Sequence, residues 1–222
     1  MLNVAIDGPG GAGKSTVAKL CAVKKGLHYV DSGALYRAIG YCLDGQGVNI
    51  EDDAAVAAGL DELSLRIFYA EDGQHVEVNG TDVSPFIRTV EVGAMASKVS
   101  VHGPVRDKVN TIIRQTAENY PVIMDGRDIG TVVLPDAPLK IYITASSEER
   151  ARRRLLELEK AGKPHGTLED VQREIEERDY RDMHREIAPL KQAEDAILLD
   201  TTHLSLDEVV EKVCSMIDEV KK

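Results

Sequence analysis

Residues 2–16 of the chain, LNVAIDGPGGAGKST, decide its fold. The apolar run over residues 2–6 predicts a buried strand, and the apolar spacing after Ser15 predicts a helix. Between them, Gly8–Ser15 matches the spacing GxxxxGK[ST]. A strand, a glycine-rich turn and a helix in this order are typical of an α/β sheet that carries a phosphate-binding loop.

Four more short segments rich in β-branched or aliphatic residues predict strands, at residues 27–30, 121–124, 139–143 and 196–200. Helical patterns separate these strands, so we expect an α/β fold with a doubly wound, five-stranded parallel sheet. Residues 63–83 break the alternation. The dipeptides Asp72-Gly73 and Asn79-Gly80 within them are hairpin signals and predict a small antiparallel insert.

The composition favours a globular protein that does not bind polyanions nonspecifically. The 222 residues are 43% hydrophobic and 29% charged, and the net charge is −11. That charge opposes nonspecific binding to nucleic acid or to an anionic membrane. The three cysteines show no CxxC spacing, so we expect neither a disulfide framework nor a zinc site. We expect a cytoplasmic monomer without a membrane span or a signal peptide.

The glycine-rich loop carries the strongest chemical signal. Its glycines leave backbone N–H groups free to surround phosphates, Lys14 adds a positive charge, and the Ser15 hydroxyl suits Mg²⁺. The alternative is a glycine-rich turn that binds nothing. The chain has no NKxD segment of the kind that guanine-specific proteins use, so ATP is favoured over GTP. The candidate nucleotide-binding residues are Gly8, Pro9, Gly10, Gly11, Ala12, Gly13, Lys14, Ser15 and Thr16.

Two further strands run into charged segments, where α/β sheets bind ligands. After the second strand, Arg37 lies about 200° around a helix from Leu35 and points away from the apolar stripe. After the third, Asp125 is placed to order Mg²⁺, Arg127 to hold a phosphate and Asp128 to accept from a base amine. The alternatives are a surface arginine and a turn with an internal ion pair.

Residues 150–185 reverse the sign of the chain's charge. They carry ten positive and nine negative side chains, eight of them arginines, so the segment is +1 while the rest is −12. Arg178, Asp182 and Arg185 continue the face of an apolar helical stripe, which favours a polar cavity. The alternative is surface ion pairing between these same residues.

Four segments together resemble the bacterial cytidylate kinase family: GPGGAGKST (8–16), DSGALYR (31–37), DGRDIGTVV (125–133) and ERDYRDMHREIAPL (177–190). The resemblance covers nearly the whole chain. It implies direct in-line transfer of the ATP γ-phosphate to CMP or dCMP, with Mg²⁺, to give CDP or dCDP. Ser15 stands where some relatives carry glycine, and its hydroxyl should help to bind magnesium.

The resemblance also implies residue roles. Catalytic charges are expected at Lys14, Arg127, Arg153, Arg154 and Arg185, and metal contacts at Ser15 and Asp125. Holders of the acceptor phosphate are expected at Ser32, Tyr36, Arg37, Arg127 and Arg185. Readers of cytosine are expected at Ser97, Arg106 and Asp128, and sugar contacts at Arg178 and Asp182.

The expected organisation is a single P-loop kinase domain with three parts. The parts are a core (1–30, 104–150, 186–222), a monophosphate-binding subdomain with the insert (31–103) and a helical lid (151–185). Two alternatives stay open. One is a P-loop kinase acting on adenylate, thymidylate, shikimate or dephospho-coenzyme A, and the other is a nucleotide-gated regulatory module that phosphorylates nothing.

Overall fold

The computed structural model describes residues 1–221 and has the expected α/β architecture. Its strands are Asn3–Asp7 (β1), His28–Asp31 (β2), Leu65–Ala70 (β3), Gly73–Val78 (β4), Thr81–Asp82 (β5), Val122–Asp125 (β6), Leu139–Thr144 (β7) and Ile197–Asp200 (β8). Its α-helices are Lys14–Lys25 (α1), Ser32–Gly45 (α2), Asp53–Asp61 (α3), Val90–Val99 (α4), Gly103–Asn119 (α5), Ser147–Lys160 (α6), Leu168–His184 (α7) and Leu206–Val220 (α8). Residues Ile129–Val133 form one π-helical turn.

The chain divides into two compact units. The first unit comprises residues 1–28 and the chain from Pro121 onward, and the second unit comprises Tyr29–Tyr120. The five-stranded sheet has the order β2-β6-β1-β7-β8, and the pairings of β1 with β6 and β7 and of β7 with β8 are parallel. The predicted doubly wound parallel sheet is therefore confirmed, with each strand beginning one residue later than predicted or, for β7, ending one residue later.

The first unit is built around β1, whose Val4, Ala5 and Ile6 are fully buried. A strand that is buried on both faces has no solvent-facing side that needs polar side chains, which explains its continuous apolar run. Helix α1 packs against α8, and α6 packs against α7. The seven residues from Ala161 to Thr167 link α6 to α7, and they contain the predicted turn at 162–166.

The second unit combines helices α2 to α5 with the antiparallel sheet β3-β4-β5. The predicted turn Asn79-Gly80 joins β4 to β5, and both residues have positive φ (50° and 81°), as a tight hairpin requires. The first hairpin differs from the expectation. Its two-residue turn is Glu71-Asp72, and Gly73 opens β4 opposite Ala70 with φ 123°. That backbone angle favours glycine, so the glycine marks the strand start and not the turn centre.

A histidine in this small sheet is placed between two carboxylates. His75 Nδ1 lies 2.8 Å from Asp82 Oδ2, and Nε2 lies 2.7 Å from Asp72 Oδ1. The contact with Asp72 and then that with Asp82 raise the pKa of His75 above its usual value. The folded sheet therefore favours the imidazolium form of His75 more than the unfolded chain does.

The raised pKa predicts a pH-dependent stability. Protonated His75 stabilises the fold fully below the unfolded pKa, about 6.5, and this contribution is lost as pH rises through the higher folded pKa. We expect His75→Gln to lower the free energy of unfolding by less than about 1 kcal/mol near pH 6, and to have a smaller effect near pH 9. Urea unfolding of both proteins at the two pH values measures this. The exposed His203→Gln serves as control, and an equal effect of His75→Gln at both pH values would contradict the prediction.

Candidate active site

The glycine-rich loop connects β1 to α1 in a conformation that its glycines allow. A Cβ on Gly8 would lie 1.9 Å from the carbonyl oxygen of Ile143, so only glycine fits there. Gly11 and Gly13 have φ of 74° and 81°, in the left-handed region. Lys14 begins α1, and its Nζ donates to the Pro9 carbonyl at 2.6 Å. The predicted loop residues 8–16 thus form one continuous loop and helix start.

The loop lysine is buried among other cations. The Lys14 side chain is 5% exposed, and its burial lowers its pKa well below the usual value. The charge of Arg127 lowers that pKa further, whereas Asp125 and Asp7 oppose the shift. A cation that is destabilised in this way is an attractive partner for a polyanion.

The pairing of β1 with β6 brings the loop beside the DGRD segment. Ile6 on β1 is in register with Asp125 on β6, so both strands deliver their following residues to the same edge of the sheet. There the Ser15 hydroxyl donates to Asp125 Oδ2 at 2.7 Å. The two predicted metal contacts therefore lie together, although they are 110 positions apart in sequence.

The sequence analysis did not identify Asp7 as a site residue. Asp7 accepts hydrogen bonds from the backbone N–H groups of Ile129 and Gly130, at 2.8 and 2.7 Å. Burial raises the pKa of Asp7 to about 6, and the two N–H donors oppose that shift. Its carboxylate thus ties the end of β1 to the turn after the DGRD segment. The only sequence signal was its position, the last residue before the loop.

Helix α7 meets the DGRD segment through ion pairs. Arg127 Nε donates to Asp182 Oδ2 at 2.8 Å, and Arg185 Nη2 donates to Asp128 Oδ1 at 3.3 Å. The side chain of Arg178 passes Gly10, and its burial, followed by the charge of Arg127, lowers its pKa. Five predicted site residues are brought together in this way within the first unit: Arg127, Asp128, Arg178, Asp182 and Arg185. The ion pairs formed by Arg127 and Arg185 run between two elements, so the alternative of pairing only within the helix surface or only within the turn does not describe them.

The two predicted lid arginines, Arg153 and Arg154, form hydrogen bonds with residues outside the predicted site. Arg153 Nη2 donates to the Thr201 carbonyl at 2.7 Å, and Arg153 Nε donates to Glu149 on its own helix. Arg154 Nη1 donates to Glu157 Oε2 at 3.2 Å, also on α6, and its side chain is 45% exposed. Two other residues of α6 and α7, Arg150 and Asp179, contact the glycine loop directly, and the sequence analysis did not identify them.

The second unit holds the other predicted residues around α2. Asp31 caps this helix by accepting from the Ala34 N–H at 3.0 Å, and its second carboxylate oxygen accepts from Arg37 Nη2 at 2.8 Å. Arg37 Nε is a buried donor without a hydrogen-bond partner among residues 1–221. Ser32, the first residue of α2, is 7% exposed.

The base-reading candidates lie on α4 and α5. Arg106, on α5, is 3% exposed, and its guanidinium carbon lies 5.8 Å from the ring centre of Tyr36. Ser97 lies half-buried on α4. Helices α4 and α5 both pack against α2, the helix that carries Ser32 and Arg37.

The antiparallel insert supports the start of α2. The side-chain amide of Gln74 pairs with the main chain of Asp31: Oε1 accepts from the Asp31 N–H at 2.7 Å, and Nε2 donates to the Asp31 carbonyl at 3.2 Å. Tyr69 donates from its hydroxyl to the Tyr29 carbonyl at 3.2 Å. The insert therefore stiffens the segment that carries Arg37.

Residues 1–221 contain no group of three or more His, Cys, Asp or Glu side chains with metal-binding geometry.

No helix within this range has the length and apolar character that crossing a membrane requires.

Comparisons with known proteins identify the family. The family model for cytidylate kinase matches residues 4–219. A cytidylate kinase of Lactobacillus johnsonii is 48% identical over 100% of this chain and 96% of its own length, and one of Shouchella clausii is 46% identical over 98% and 96%. The crystal structure of an uncharacterized protein from Eubacterium ventriosum matches 98% of this chain and 99% of its own, with a TM-score of 0.55 at 14% identity, which speaks for the fold alone. Together with the loop, the DGRD segment and the arginines of α7, these matches show that the chain belongs to the cytidylate kinase family.

Proposed function

We propose that the chain transfers the γ-phosphate of ATP to CMP or dCMP and releases ADP with CDP or dCDP. The observation that carries this proposal is the convergence of three cations beside the glycine-rich loop: the buried Lys14, and Arg127 and Arg178, whose side chains pass Gly10. The charge of Arg127 lowers the pKa of both Lys14 and Arg178, so a bound polyanion would stabilise this group of cations. The family and its named members support CMP as the acceptor.

For the donor, we assign the amides of residues 8–16 and the Lys14 ammonium to the ATP phosphates. The pair of Ser15 and Asp125 suits Mg²⁺, because both supply hard oxygen ligands and Mg²⁺ usually keeps waters and phosphate oxygens as its other ligands. When bound, Mg²⁺ neutralises charge on the transferring phosphate.

For the acceptor, we assign Ser32, Tyr36, Arg37, Arg127 and Arg185 to the phosphate of CMP, as the family resemblance implies. The unpartnered Arg37 Nε supports this assignment. We assign Ser97, Arg106 and Asp128 to cytosine, and Arg178 with Asp182 to the sugar. A carboxylate accepts from the cytosine amino group, whereas uracil presents an oxygen at that position and is repelled.

Chemistry follows from alignment and charge. A phosphate oxygen of CMP attacks the γ-phosphorus, the bond to the β-phosphate oxygen breaks, and ADP leaves without a phosphoenzyme. We propose that residues 151–185 act as a lid that carries Arg153 and Arg154 and excludes water, on a core of residues 1–30, 104–150 and 186–222. Residues 31–103 form the monophosphate-binding subdomain. We also propose that the protein acts as a cytoplasmic monomer.

An acceptor panel tests the function. ADP release from ATP and Mg²⁺ is measured with CMP, dCMP, UMP, AMP, TMP, shikimate and dephospho-coenzyme A. We expect CMP and dCMP to be phosphorylated with the highest kcat/KM. Preferred turnover of another acceptor would point to a different P-loop kinase, and ATP binding without turnover of any acceptor would point to a regulatory module.

Removing one phosphate-holding cation should slow the chemical step. We expect Arg127→Ala to lower kcat by a hundredfold or more, because such a donor contributes on the order of 3 kcal/mol to transition-state stabilisation. Steady-state ADP release at saturating ATP and CMP measures this. Arg152→Ala is the matched control, since Arg152 is 58% exposed and pairs with Glu148 on its own helix. A normal kcat in Arg127→Ala would remove Arg127 from the mechanism.

Base selection gives a separate prediction. We expect Asp128→Ala to reduce the ratio of kcat/KM for CMP to that for UMP by about tenfold or more, because a paired base contact contributes about 1–3 kcal/mol. The ratio cancels any loss common to both acceptors, including the loss from the freed Arg185. Asp218→Ala, on the surface of α8, is the control. If discrimination is unchanged, Asp128 does not read the base.

A further inference from the structure

The two peptide groups on either side of Gly10 are held by side chains of α6 and α7. The Gly10 N–H donates to Asp179 Oδ1 at 3.3 Å, and the Gly10 carbonyl accepts from Arg150 Nη1 at 2.9 Å. The same Arg150 nitrogen donates to Asp179 Oδ2 at 2.6 Å, which closes a ring of hydrogen bonds. Arg150 Nε is held in turn by the Ala145 carbonyl at 3.0 Å. We name Arg150 and Asp179 the clasp.

The clasp is buried, so it strongly constrains the loop. The side chains of Arg150 and Asp179 are only 7% and 10% exposed. A buried ion pair of this kind is costly to break, because each charge left alone lacks both its partner and water. The two peptide groups that it holds flank Gly10, whose backbone angles are not restricted by a side chain.

The planarity of the peptide bond transmits this constraint to the phosphate-binding groups. The Gly10 carbonyl and the Gly11 N–H belong to one trans peptide, so they point in opposite directions. With the carbonyl held by Arg150, the Gly11 N–H points away from the clasp. The Gly10 N–H and the Pro9 carbonyl are related in the same way, which places the Lys14 ammonium on the side opposite Asp179.

We infer that Asp179 and Arg150 are positioning residues that prevent the peptides around Gly10 from flipping and so keep the loop ready for a triphosphate before ATP binds. A flipped Gly10-Gly11 peptide would direct a carbonyl oxygen, and not an N–H, toward the phosphates. ATP would then bind only the fraction of molecules with the correct peptide orientation, and the apparent dissociation constant would rise by the inverse of that fraction. This inference rests on the proposed binding of ATP by the loop.

The clasp acts on the donor side of the site. The ion pairs of Arg127 with Asp182 and of Arg185 with Asp128 hold α7 to the DGRD segment independently of it. Loss of the clasp should therefore affect ATP much more than CMP. A merely structural ion pair would change the thermal midpoint without such a difference between the two substrates.

Two variants test the inference. Asp179→Asn leaves the buried Arg150 charge unpaired, so it should lower both the thermal midpoint and ATP affinity. The double variant Arg150→Met/Asp179→Leu replaces the pair with apolar side chains of similar volume, an exchange that proteins often tolerate without loss of stability. We expect the double variant to fold with a lower thermal midpoint, because the Gly10 N–H and carbonyl lose their partners, to bind ATP about tenfold or more weakly by calorimetry, and to keep its CMP dissociation constant within about twofold.

As the control, Glu148→Gln alters an exposed ion pair with Arg152 on α6 and should leave ATP affinity unchanged. A folded double variant with wild-type ATP affinity would overturn the inference, as would an equal loss of ATP and CMP affinity. If the wild-type protein neither binds ATP nor phosphorylates CMP, the proposed function fails, independently of the variants.

Discussion

The parallel pairing of β1 with β6 is the constraint on which the candidate site depends. With Ile6 opposite Asp125, the glycine-rich loop and the DGRD segment leave the sheet side by side. The contact of Ser15 with Asp125 and the hydrogen bonds of Asp7 to Ile129 and Gly130 follow from this register. A shift of one residue would turn the alternating side chains of β6 to the other face, and these contacts would be lost.

Cations that repel one another meet at the candidate site, although the molecule as a whole is negatively charged. The chain carries a net charge of −11, yet Lys14, Arg127 and Arg178 lie near one another beside the glycine-rich loop. Carboxylates offset part of this repulsion, since Asp182 pairs with Arg127 and Asp179 pairs with Arg150. A bound triphosphate would offset the remainder.

In the second unit, side chains also hold the backbone in place, as Arg150 and Asp179 hold Gly10 in the first. Asp31 both caps α2 and holds Arg37, and the insert fixes the Asp31 main chain through Gln74. An amide side chain can imitate a neighbouring strand because it offers one donor and one acceptor in a plane. The insert thus holds the start of α2 without supplying any of the assigned substrate contacts.

The sequence by itself determined the fold class, the glycine-rich loop and the family resemblance, because periodicity and the GxxxxGK[ST] spacing are local properties. It also placed Asp125, Arg127 and Asp128 at a strand end and the turn Asn79-Gly80 in the insert. Only the tertiary structure decided which charges meet: that Asp182 pairs with Arg127, that Asp7 holds the turn after the DGRD segment, and that Arg150 and Asp179 hold Gly10. These contacts join residues 55 to 169 positions apart, and strand register and helix packing set them where no local pattern can.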